Sequence, residues 1–233
     1  MAKIKVKTNI DIERNPVERI LMKIAEILKA NRKLVLYIFG AIFLGLILTI
    51  VASVIVDMRS TDQQIRYEAI MDEYYKNRKD TKIVEKTIAE LQKLADSAYI
   101  GFASKMPYYM MGNLYYDLKK FKEARKYLLI FANKDSSEVF TPLAFLKAAL
   151  SLEEMGKLDD ALVSLKKLQE KYGEGMVADQ VLYNIGRIYS IKGDPAQAKI
   201  YFNRVIAQFP QSVLAGRAKQ RLILTEVQKA KTE

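Results

Sequence analysis

The chain has 233 residues, with 38 Lys/Arg against 27 Asp/Glu for a formal charge of +11, and it contains neither histidine nor cysteine. Those two absences remove the commonest general base, the thiolate nucleophile, disulfides, lipid attachment through cysteine and the usual ligands of zinc and copper. The positive charge is dispersed, with no Lys/Arg block interleaved with aromatics, so no nucleic-acid partner is expected.

The remaining carboxylates do not assemble a site. Glu153–Glu154 and Asp159–Asp160 are sequence neighbours, which diverge on a helix and do not converge on one proton. Gly173-Glu174-Gly175 is too short for a phosphate cradle and lacks the Lys-Ser/Thr that follows one. No run of alternating oxygen ligands around a glycine turn suggests calcium. The expectation is a non-enzymatic protein with no catalytic residue, no metal and no cofactor.

In chain order, MAKIKVKT alternates basic and apolar side chains and reads as an extended arm. Asn15-Pro16 then reads as an N-cap with proline at the first helical position, and Glu18 completes a capping box. Val17, Ile20, Leu21, Ile24 and Leu28 follow at helical spacing, with Arg19, Lys23, Glu26 and Lys29 mostly elsewhere. This basic amphipathic helix suits the cytoplasmic leaflet of a membrane, or the cytoplasmic side of a membrane partner.

Leu34 to Val56 reads LVLYIFGAIFLGLILTIVASVIV, without a charge. A hydrocarbon core needs roughly 20 apolar residues, and a buried helix of this length would show a polar side. The run predicts a single transmembrane helix. It exceeds the roughly 7–15 apolar residues of a cleavable signal peptide and has no clean Ala-x-Ala exit. Arg19, Lys23, Lys29, Arg32 and Lys33 precede it closely, whereas only Arg59 and Arg66 follow, accompanied by Asp57 and Asp62. The basic bias predicts a cytoplasmic N-terminus and translocation of residues 57–233. Ala41, Gly45, Thr49 and Ser53 fall four apart, a stripe along which another membrane helix can approach closely, in another protein or in a homo-oligomer.

Beyond Asp57 the pattern is helical throughout, and a repeat emerges. Ala124, Ala161 and Ala198 are separated by thirty-seven residues. Twelve residues before each stands Gly112, Ala149 or Gly186, and three beyond those Tyr115, Leu152 or Tyr189. Leu128, Leu165 and Phe202 follow the alanines by four. Gly156 and Gly193 mark a turn in two copies, Lys119 standing there in the first, and Pro210 closes the third. Small residues where two helices cross, large ones between them and a glycine stop are the marks of a helix–turn–helix repeat.

The segment from 105 to 211 resembles the tetratricopeptide repeat family, best in YNIGRIYSIKGDPAQAKIYFNRVIAQFP, with about three residues more per repeat than the family's usual 34. The resemblance implies an all-α fold: a single transmembrane helix followed by a tetratricopeptide α-solenoid. The expected organisation is a cytoplasmic arm and helix (1–33), the membrane helix (34–56), a linker helix and degenerate repeat with Thr87 in the alanine place (57–104), three repeats (105–211) and a capping helix (212–233) in which Val213, Ala215, Ala218, Leu222, Leu224 and Val227 close the stack. Pro107 marks either a kink or a helix start.

In that family the concave face is lined by the first helix of each pair. The positions so implied are Met106, Tyr109, Asn113 and Tyr116, then Leu143, Leu146, Leu150 and Glu153, then Gln180, Tyr183, Arg187 and Ser190. Of these, Tyr109, Asn113, Tyr116, Leu146, Leu150, Tyr183 and Arg187 are the expected contacts for a polypeptide partner. Tyr109 and Gln180 stand where some family members carry lysines for a C-terminal carboxylate, which argues against that use.

The whole layout, with DSAYIGFASKMPYYMMGNLYYDLKKFKEARKYL after the anchor, resembles the YfgM-type ancillary subunits of the bacterial Sec translocon. That resemblance implies the bacterial inner membrane, a periplasmic C-terminal domain, and as partners membrane complex subunits, a periplasmic chaperone or unfolded envelope proteins. The alternative is a scaffold of an envelope machine such as a flagellar motor collar or a pilus assembly.

Overall fold

A computed structural model describes residues 16–98 and 100–232, in which ten α-helices and one short 3-10 turn appear and no strand. The described chain divides into two units, 1–58 and 59–233.

In the first unit, α1 (Pro16–Ala30) is followed by α2 (Arg32–Asn77), whose residues to Met58 belong here. Val17, Ile20, Leu21, Ile24, Ile27 and Leu28 of α1 are exposed, and so is every side chain from Leu34 to Val56 except Val35. The helix nonetheless closes its own polar groups. Thr49 Oγ1 and Ser53 Oγ each donate, at 2.8 Å, to the carbonyls of Leu46 and Ile50, so neither hydroxyl of the stripe needs water. The basic arm and Asn15 lie outside the described residues, as does the side chain of Glu18.

The second unit begins within α2. The helix does not stop between the apolar run and the linker helix expected from residue 57, because no proline, glycine or cap separates them. Tyr67 and Met71 of α2 share a core with Val84, Ile88 and Leu91 of α3 (Thr81–Ser97). Asp80 caps α3 by accepting from the Lys82 amide at 2.8 Å. The backbone then leaves helical geometry through Gly101 and the 3-10 turn at Phe102–Ser104. Pro107 therefore stands at the second residue of a new helix, α4 (Met106–Asp117), where its missing amide costs no hydrogen bond.

Three helix pairs follow: α4 with α5 (Phe121–Lys134), α6 (Phe140–Glu154) with α7 (Leu158–Tyr172), and α8 (Ala178–Ile191) with α9 (Pro195–Gln208). Within each pair the connection is three residues long and closes by the same double hydrogen bond. Lys120 N–H reaches Tyr115 C=O and Lys119 N–H reaches Tyr116 C=O, as Lys157 and Gly156 do with Leu152 and Glu153, and Asp194 and Gly193 with Tyr189 and Ser190. The middle residue must be left-handed: φ is +74° at Gly156, +77° at Gly193 and +58° at Lys119. The lysine adopts the glycine conformation against its preference.

The signature positions meet where the repeat logic places them. A Cβ on Gly112 would stand 2.6 Å from Leu128 Cγ, and one on Gly186 2.9 Å from Phe202 Cε1. Ala124, Ala161 and Ala198 are buried, as is Thr87, which hides its hydroxyl by donating to Ile83 C=O at 2.8 Å. The last helix, α10 (Val213–Thr232), packs on α9 through Ala215 and Ala218, with Leu214 and Leu222 beside them. Of the expected face, Ala215, Ala218 and Leu222 do the covering while Val213 and Leu224 are exposed; the side chain of Val227 lies outside the described residues.

Candidate protein-binding face

Helices α4, α6 and α8 contribute the side chains singled out for partner contact, and their environments differ. Tyr109 is half-buried, its ring 5.0 Å from Phe131 and 5.5 Å from Phe140. Tyr116 lies edge-on to Phe121 at 5.3 Å, with the Lys147 ammonium 4.9 Å from its ring centre. Asn113 donates to Tyr109 C=O at 2.9 Å and accepts from Lys147 Nζ at 2.6 Å. Leu150 is half-buried against the central core and Tyr183 half-buried 5.6 Å from Phe202. Leu146 is a core residue, 4 % exposed, packed with Ala149, Leu152 and Val181. Its expected role as a partner contact is corrected: the side chain points between the layers.

Arg187 is equally committed. Its guanidinium grips the Glu153 carboxylate with both terminal nitrogens, one bond measuring 2.6 Å, and also donates to Asn184 Oδ1 at 2.8 Å. An expected contact and a concave-face carboxylate on the neighbouring helix thus neutralise each other. Burial lowers the Lys147 pKa, against the opposing attraction of Asp117. Burial also raises the Tyr116 pKa, helped by Glu154 and Glu153 and opposed by Arg187.

Sequence reasoning missed Lys147, Asn184 and Asp179. The signal was available as a spacing. Asn113–Lys147 and Glu153–Arg187 are each 34 residues apart, and Asp179 accepts from Ser212 Oγ, 33 residues on, at 2.5 Å. Complementary polar pairs at one repeat less three or four residues tie neighbouring first helices side by side. Toward the C-terminal end the face opens into a cleft of about 650 Å³ between α8 and the start of α10, lined by Gln180, Tyr183, Asn184, Arg187, Leu214 and Arg217. No group of three or more His, Cys, Asp or Glu that could hold a metal occurs among the described residues.

Models of the tetratricopeptide repeat match residues 107–129, 143–174 and 179–212. The helix pairs are tetratricopeptide repeats. Two solved structures share the fold. "Crystal structure of MamA protein" is 18% identical at a TM-score of 0.53, covering 71% of this chain and 83% of that one. The Podosopora anserina putative kinesin light chain with nearly identical TPR-like repeats is 15% identical at 0.50, covering 75% and 98%. No curated protein sequence matches the chain. The tetratricopeptide unit is a protein–protein interaction module built on an all-helical solenoid.

Proposed function

We propose that the chain is a single-pass membrane protein of the bacterial inner membrane that holds its tetratricopeptide unit in the periplasm, as an ancillary factor of the Sec translocon handling emerging envelope proteins. The observation that carries the anchoring is the run Leu34–Val56. It is the helix among the described residues that is long and apolar enough to cross a membrane, and its side chains have no cover within the described chain. Closure of Thr49 and Ser53 onto their own helix supports it. The basic residues before the run orient it with the N-terminus in the cytoplasm. Ala41, Gly45, Thr49 and Ser53 would face a membrane partner. Tyr109, Asn113, Tyr116, Leu150 and Tyr183 would meet a polypeptide segment, with Arg187 at the mouth of the α8–α10 cleft.

Purification from native membranes in mild detergent tests the reading. Translocon subunits with a periplasmic chaperone are the expected co-purifying proteins. Protease added to osmotically opened cells should digest residues 57–233; their protection would reverse the topology. The second reading, a fixed scaffold in a motor collar or pilus assembly, draws support from the self-paired polar groups of the face, since Glu153–Arg187 and Asn113–Lys147 hold it closed to weak, varied clients. A defined stoichiometric machine in the same purification would establish it in place of the first.

A further inference from the structure

The second helices of the repeats carry a feature that the α4–α6–α8 face does not explain. In the first repeat Tyr127 of α5 stacks on Tyr115 at 5.3 Å, and in the third Tyr201 of α9 stacks on Tyr189 at 5.7 Å. Advancing Tyr127 by the thirty-seven-residue period reaches Ser164 of α7, and advancing Tyr115 reaches Leu152. The middle repeat lacks the tyrosine pair. Where the first and third repeats place Met111 and Ile185, both fully buried, the middle one places Ala148. Ser164 turns its hydroxyl back to Asp160 C=O at 2.9 Å and fills nothing.

The result is a cavity of about 230 Å³ between α5 and α7, floored by Ala148 and Ala149 of α6 and walled by Leu129, Phe145, Leu168 and Tyr172. An engineered void of about 150 Å³ accommodates benzene, so this one holds a large aromatic side chain. Its rim carries Arg125, Lys167 and Lys171, and none of the three is ion-paired among the described residues.

We propose that this cleft is a second binding site, for an acidic peptide segment that inserts one aromatic side chain where the middle repeat lacks its own. The bound ring replaces the missing tyrosine between the alanine floor and the Phe145 and Tyr172 walls, and flanking carboxylates pair with Arg125, Lys167 and Lys171. Three cations spread over two helices suit several carboxylates along a chain better than the single head group of a fatty acid. The volume also falls short of a diacyl lipid. The site opens between α5 and α7 over Phe145, Ala148 and Ala149 of α6, uses none of the side chains assigned to the α4–α6–α8 face, and stands or falls without it.

The test uses the full chain in phosphatidylcholine nanodiscs and a fluorescein-labelled DEFED peptide read by anisotropy. Saturable binding that weakens at high salt is expected, about tenfold weaker for DEAED. Ser164→Tyr, which restores the tyrosine of the neighbouring repeats, should keep the circular dichroism and thermal midpoint while weakening DEFED binding about tenfold or more. The exposed double substitution Lys167→Glu with Lys171→Glu should do the same without touching the core. Absence of saturable binding, equal affinity for DEAED, or binding unchanged by Ser164→Tyr would overturn the site. Capture of dodecanoate, blocked by Ser164→Tyr, with no affinity for DEFED would overturn the peptide as its occupant.

Discussion

The stretch Leu34–Val56 and helix α8 are both rich in large apolar side chains, yet they end in opposite surroundings. In α8, Val181, Leu182, Ile185 and Ile188 are buried to within 1 % exposure, while Gln180, Asn184 and Arg187 hold the other side. The first stretch has no polar side and nothing from the described chain covers it. Amount of apolar surface does not separate the two; its distribution around the helix does. An interrupted pattern is one that the chain's own second layer can satisfy. An uninterrupted one asks for cover on every side.

The contrast is broken most forcefully by removing large side chains. Phe202→Ala should cost the second unit about 3–5 kcal/mol, since the ring is buried and its removal leaves a void. Leu44→Ala should leave the urea midpoint of that unit within error, as Leu44 is exposed. Equal losses from both would show the first stretch to be packed in a core.

Glycines sharpen the same difference at a smaller scale. Gly112→Ala and Gly186→Ala should each cost about 1–3 kcal/mol, because the new methyl meets Leu128 or Phe202. A Cβ on Gly45 meets nothing within 4 Å, so Gly45→Ala should stay within about 0.5 kcal/mol by the same denaturation assay. A loss of co-purifying membrane partners in Gly45→Leu, with the melt unchanged, would show that the stripe faces another helix.

At the surface turns of the second unit the effects shrink further. Lys119→Gly relieves a left-handed lysine and should raise stability by about 1 kcal/mol, whereas Gly156→Ala should lower it by about the same amount. Both read as shifts in the thermal midpoint, in opposite directions.

The last test has no effect at neutral pH. Burial raises the pKa of Tyr67 strongly, and raises those of Tyr74, Tyr108, Tyr115 and Tyr116 from the ordinary value of 10.0. A folded-state pKa above the unfolded one gives stability that is complete below pH 10.0 and lost as pH climbs through the gap between the two values. The second unit should therefore loosen in alkali, and Tyr67→Phe should lessen the slope of stability against pH above 10.0. An unchanged slope would mean that Tyr67 ionises freely in the folded chain.

Much of the repeat architecture was legible because it rests on sterics that recur. Ala124, Ala161 and Ala198 are buried, and a Cβ on Gly112 or Gly186 would come within 3.0 Å of the facing helix's side chains. Lys119 was legible as a substitution of the turn glycine, though not as a residue forced into φ +58°. Leu146 was misassigned because helical position alone does not fix rotation about the axis within half a residue step, and the same uncertainty left Val213 and Leu224 of the expected α10 face exposed. The run-on of α2 past Asp57 was invisible because a helix ends only where a residue ends it. The ties Asn113–Lys147 and Glu153–Arg187 needed a comparison of neighbouring repeats, not of one repeat with itself.

Those ties also have a mechanical meaning. Each first helix is fastened to the next by a polar strap: Asn113 to Lys147, Glu153 to Arg187, and Asp179 to Ser212 at the start of the cap. Nonpolar contacts let adjacent helices slide and tilt with little change in energy, but a hydrogen bond to a charged group has a short range and a preferred direction. A stack strapped along one side resists prying open on that side and keeps its compliance on the other. On the second-helix side Arg204 of α9 also reaches the Gln169 amide of α7, so force on the protein would be taken up first as movement between α5 and α7, which share no side-chain hydrogen bond among the described residues.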